Sequence, residues 1–94
     1  MWDRLRNEID RAGRVAHDAL DEGKVRLDAF RARQRADKCA QALGYAIFRA
    51  RKDGRELEPE TYARLSSELA AAESEATSHE AEVSDAARRR QEMP

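Results

Sequence analysis

Lys52-Asp53-Gly54-Arg55-Glu56-Leu57-Glu58-Pro59-Glu60 is the one strong break in a chain that otherwise reads as helix. Gly54 suits the left-handed residue that closes a helix. Pro59 lacks a backbone N–H, a loss that matters least in a helix's first turn. Glu58 and Glu60, with Glu56 further out, bring negative charge to the positive end of the next helix dipole. Arg49, Arg51 and Lys52 do the converse at the end of the helix before. A stop followed so soon by a start joins antiparallel neighbours. The stretch predicts a hairpin with its turn over residues 53–58.

Upstream of the turn, Val25, Ala29, Ala32, Ala36, Ala40, Leu43, Ile47 and Ala50 recur at steps of three and four. Downstream, Tyr62, Leu65, Leu69, Ala72, Ala76, His79, Val83 and Ala86 do the same. Both are coiled-coil seams. In an antiparallel pair, facing positions have a constant sum. Ile47 with Leu65, Leu43 with Leu69, Ala36 with Ala76 and Ala29 with Val83 all add to 112, which centres the reversal near residue 56. Gly and Pro give the same place for the turn.

Charge supports that pairing. Residues 24–52 carry nine basic groups and two acidic ones, whereas residues 56–87 carry nine acids and only Arg64. Opposite flanks set partner choice and register more than stability, because each exposed pair contributes under ~1 kcal/mol. Arg31, Arg33, Arg35 and Lys38 are expected across from Glu73, Glu75, Glu80 and Glu82, and Arg88 to Arg90 near Asp21 and Glu22.

The same arithmetic leaves residues 1–21 without a partner, an overhang of about 30 Å at ~1.5 Å per residue. Trp2, Leu5, Ile9 and Leu20 make it amphipathic, with Ala12 and Ala16 between them. Leu27, Phe30, Tyr45 and Phe48 lie off the hairpin seam as a second stripe. These eight residues are the expected self-association surface, in an antiparallel homodimer or a higher assembly in which each overhang packs on the partner chain. Gly23, where the apolar pattern changes phase, is a candidate bend. A fold-back there would give a three-helix monomer instead. The expected organisation is an amphipathic N-terminal helix over 1–23, a basic helix over 24–52, the turn, an acidic helix over 59–90 and a frayed tail over 91–94.

Composition agrees with an all-α, probe-thin hairpin that oligomerises into a helical bundle. Leu, Ile, Val and Phe make 14 of 94 residues, while 18 are alanine and the net charge is only −1. So small an apolar complement in one short chain makes association a common remedy. Cys39 is the sole cysteine, which excludes an intrachain disulfide, and the opening Met1-Trp2-Asp3-Arg4 lacks the apolar core of a signal peptide. The expected location is cytoplasmic.

No catalytic, cofactor or metal constellation can be assembled from the residue types present. His17, His79 and Cys39 are the only soft ligands, and no paired Cys, His-x-x-x-His or Glu-x-x-His occurs. His79 reads as a polar seam residue and Cys39 as a small core residue. Gly44 has no phosphate-loop pattern around it. The basic run from Arg31 to Lys38 would lie beside an equally acidic helix, so nucleic acid is not an expected partner. Residues 2–22 carry four basic groups against six acidic ones, unlike the Lys/Arg-rich face of an interfacial membrane helix.

Through Leu43-Gly44-Tyr45-Ala46-Ile47-Phe48 the layout resembles small uncharacterised bacterial coiled-coil proteins. In these an amphipathic N-terminal helix leads to a Leu-Gly-x-x-Tyr/Phe segment, a short turn and an acidic second helix. Members often carry a zinc ribbon, which has no counterpart in these 94 residues. The outline is also similar to WXG-type secreted hairpins, which place Trp in the turn where this chain has Trp2 near its start. Coiled-coil regulators entering the RNA polymerase secondary channel use acidic tips, which Asp53, Glu56 and Glu58 match loosely. The expected function is a non-catalytic assembly, scaffold or adaptor module acting on itself or on another helical protein. The alternatives are peripheral membrane association through residues 1–22 and regulation through the acidic turn.

Overall fold

The turn chemistry has the expected result. Gly54 takes a φ of 76°, the left-handed conformation, and α1 (Trp2–Lys52) ends there. The Gly54 N–H bonds the Arg51 carbonyl at 2.9 Å and the Arg55 N–H reaches the Ala50 carbonyl at 3.0 Å, the paired closure of a Schellman motif. The Asp53 N–H is shared between the Arg49 and Ala50 carbonyls, both at 3.1 Å. Pro59 opens α2 (Pro59–Glu92), and the Glu58 carbonyl accepts the first helical bond from Tyr62 N–H at 2.9 Å. The computed structural model describes residues 2–92, which are all-helical apart from this turn, with no strand among them.

The second helix packs against the C-terminal three-fifths of the first. Arg90 donates to Glu22 at 3.2 Å, Arg35 to Glu75 at 3.1 Å, and Arg33 to both carboxylate oxygens of Glu80 at 2.5 and 3.1 Å. Later positions in α1 thus meet earlier positions in α2. The molecule measures 80 × 19 × 17 Å, the shape of a helical hairpin with a projecting end. Its radius of gyration is 22.0 Å. A compact domain of this length would have about 12 Å.

The core is made of methyl groups. Ala29, Ala32, Ala36, Ala50 and Ala76 are buried, with Ala32, Ala36 and Ala76 in one cluster and Ala72 packed against it. Half-buried Val25, Cys39, Leu43, Ala46 and Ile47 on α1 complete the seam, with Leu65, Leu69, Ala72, His79, Val83 and Ala86 on α2. At ~0.8 kcal/mol per buried methyl, the five alanines contribute only a few kcal/mol.

Several sequence expectations need correction. Cys39, not Ala40, holds the seam between Ala36 and Leu43, and Ala40 is exposed. A strict four-three alternation selects position 39, and two small residues side by side hide the choice. Tyr62 is 51% exposed, and the half-buried position beside it is Thr61. Leu57, from within the turn, is half-buried near the seam's end, and Tyr62 lines a shallow groove there with Ile47, Leu57 and Pro59. That rim position keeps the phenol in water. There is no bend at Gly23 and no fold-back, because α1 runs unbroken through Gly13 and Gly23. A glycine costs a helix only up to ~1 kcal/mol relative to alanine. The tail expected to fray from residue 91 is helical through Glu92, and Met93 and Pro94 lie outside the described residues.

Candidate self-association surface

The unbroken α1 carries the seam's heptad frame into the overhang. With Ala29, Ala36, Leu43 and Ala50 at position a and Val25, Ala32, Cys39 and Ala46 at d, the frame continues backwards through Glu22, Asp18, Val15, Arg11, Glu8 and Arg4. Five of these six are charged, so the face that receives α2 ceases to be apolar where α2 runs out. Residues 2–21 are all exposed.

The apolar side chains of the overhang lie on the other side of the helix. In the same frame Trp2, Ile9 and Ala16 fall at b, Leu5 and Ala12 at e, and Leu20 at f. Beyond Gly23 the stripe continues with Leu27 and Phe48 at f, Phe30 at b and Tyr45 at c. Positions b, c and f face away from an a/d partner, and the e positions of Leu5 and Ala12 lie beyond the end of α2. All eight residues expected to mediate self-association are exposed: Trp2 82%, Leu5 49%, Ile9 63%, Leu20 73%, Leu27 45%, Phe30 61%, Tyr45 60% and Phe48 62%. The two stripes expected from sequence are one line on one helix, about 70 Å long at ~1.5 Å per residue. Large exposed apolar side chains aligned in this way mark an interaction site.

The stripe is not uniform. Gln34, Asp37, Lys38 and Gln41 fall within it between Phe30 and Tyr45. Tyr45 at the far end lies under the Arg49 guanidinium, 5.8 Å from ring centroid to carbon. Val15, 64% exposed, is the large apolar residue that sequence reading passed over, and it sits at an a position, off the stripe. A heptad frame run back from the hairpin would have flagged it.

The hairpin side is held in register by charge. The two-pronged hydrogen bond to Arg33 holds the Glu80 carboxyl below its ordinary range, and the same contact raises Arg33 above its own. His79 is half-buried on the seam, 3.8 Å from both Glu75 and Glu82 on its own helix. In the turn, Asp53 lies 3.9 Å from Arg55 and Glu56 3.8 Å from Arg51, so arginines offset the acidic tip.

Among the described residues no group of three or more His, Cys, Asp or Glu could hold a metal ion, and no helix is long and apolar enough to cross a membrane. No family model matches the chain, and neither a curated protein nor a solved structure matches it.

Proposed function

We propose that this protein is a non-catalytic helical assembly module. It is an antiparallel coiled-coil hairpin whose longer helix offers a second apolar face to another helix, first of all that of another copy. The observation that carries this reading is the line of eight large side chains, each at least 45% exposed, along the face of α1 turned away from α2. Water-exposed groups of that size and alignment contribute nothing to a monomer and favour association. The hairpin keeps α1 straight, and the alternation of basic and acidic flanks keeps α2 on its own side.

Light scattering on the full chain across a concentration series tests the proposal, with Ile9→Glu as the comparison. A dimer or larger mass for the native chain, with a shift to monomer in the variant, is expected. A native chain that stays at its 10.7 kDa monomer mass at high concentration would remove the reading.

A further inference from the structure

Resting on that reading, we propose the partner and the register: residues 2–30 of α1 pack antiparallel on the same segment of a second copy, with Ala16 on the two-fold axis. The stripe positions in this segment are Trp2, Leu5, Ile9, Ala12, Ala16, Leu20, Gly23, Leu27 and Phe30. Their spacing is a palindrome about Ala16. Turned end for end, the segment sets Trp2 against the partner's Phe30 and Leu5 against the partner's Leu27. It sets Ile9 against the partner's Gly23, Ala12 against the partner's Leu20, and Ala16 against itself. A two-fold interface requires this self-complementarity.

Size as well as spacing matches. Apart from its own turn of helix backbone, nothing lies within 4 Å of where a Cβ would stand at Gly23, so no packing within the monomer requires a glycine there. Against the partner's Ile9, the missing side chain is room for a large one. Alanine against leucine repeats the match one turn away. A parallel in-register pair would set Gly23 on Gly23 and Ala12 on Ala12, leaving gaps between larger neighbours that hold the helices apart. Alternation of large and small is what an antiparallel core needs to fill.

The segment is also large enough. Its six large side chains, two of them aromatics of about 150–250 Å² each, are 45–82% exposed and present on the order of 700 Å² per chain. Two copies that cover all of it bury about 1,400 Å², inside the range of about 1,200–2,000 Å² for stable interfaces. The packing does not disturb the hairpin, because α2 occupies the opposite face of α1. Charge is neutral to the choice: Glu8 falls near the partner's Arg26 on one flank, and Arg6 near the partner's Lys24 on the other. The complementary run ends at Phe30, where Arg31, Gln34, Asp37 and Lys38 take over.

Cysteine cross-linking of the full chain tests this, in a Cys39→Ala background that removes the native thiol. Ala16→Cys should form a disulfide dimer under mild oxidation at least about ten-fold faster than Ala12→Cys alone, since a bridge needs Cα atoms within about 7 Å. Mixing Ala12→Cys with Leu20→Cys should give the heterodimer. Efficient cross-linking of Ala12→Cys by itself would mean a parallel pair and overturn the proposal. So would preferential bridging of Ala16→Cys to Gln34→Cys, which marks a longer overlap with Trp2 at Phe48. Gly23→Leu is the second variant. It meets open space within the chain but the partner's Ile9 across the axis, so assembly should weaken about ten-fold or more with helicity unchanged. Assembly unchanged or strengthened by Gly23→Leu would equally overturn the register. A monomeric native chain removes the self-association reading itself, whereas a dimer with the wrong cross-links removes only the register.

Discussion

Residues 2–21 and residues 22–50 belong to one helix and share its outer stripe, but only in the second region is a side of it covered. The second region adds an apolar side that is small and covered: Ala29, Ala32, Ala36 and Ala50 are buried against α2. In the first it is large and bare, with Trp2, Leu5, Ile9 and Leu20 at 49–82% exposure. Small residues let two helices of the same chain approach closely, held there by the turn. Large residues on a free surface supply more area per contact, which association between chains requires because it must offset lost translational freedom. The difference separates the surface that folds the chain from the surface that joins it to others.

That contrast can be broken from either side. The largest effect is expected at the covered seam. Ala76 is 0% exposed, and Ala76→Asp would bury an unpartnered carboxylate in a core of methyl groups. Loss of cooperative melting by circular dichroism is the expected outcome at all concentrations. Next comes the bare face. Exchanging both Ile9 and Leu20 for Glu removes two apolar groups of ~1.5–3 kcal/mol each when buried, so dimerisation should weaken by about a hundred-fold or more. Sedimentation equilibrium would show this while the melting of the hairpin, measured where the native chain is monomeric, stays in place. If this double variant instead melted the hairpin, the two faces would not be separable.

The turn comes third. Gly54 at a φ of 76° admits other residues only with strain, and Gly54→Ala should lower stability by about 1 kcal/mol, read as a lower melting temperature. The smallest expected effect belongs to Arg33 and Glu80. A carboxyl held below its ordinary range stabilises the fold above the unfolded-state pKa, and that stability is lost as pH falls through the folded-state pKa. The melting temperatures of the native chain and Glu80→Gln should therefore differ at neutral pH and converge in acid below the folded-state pKa of Glu80, where both side chains are neutral. A difference that persisted in acid would assign the effect to packing rather than charge.

Much of the hairpin was legible in the sequence because its signals are chemical and local. Gly54 and Pro59 each do something no other residue type does as well, and both stand where the structure turns. The seam was legible as a period but blurred residue by residue. Ala40 and Cys39 are adjacent and similar in size, and only the packed structure distinguishes them. Tyr62 misled because an aromatic ring at a seam spacing can still sit at the rim. The relation between the two exposed stripes was hidden by Gly23. Read as a bend, it divides Trp2, Leu5, Ile9 and Leu20 from Leu27 and Phe30. Read as a helical position within an unbroken α1, it joins them into one face.

The elongated outline has a hydrodynamic consequence. A globule with a radius of gyration of 22.0 Å would need on the order of 400 residues, more than four times this chain. A single copy tumbling end over end meets the friction of that larger body and leaves a gel-filtration column early. Elution volume would therefore make a monomer resemble an oligomer, whereas scattered intensity follows mass regardless of shape. The same length slows rotation about the short axes far more than spin about the long one. Fluorescence anisotropy decay at Trp2, near the tip of the rod, should accordingly resolve more than one rotational time.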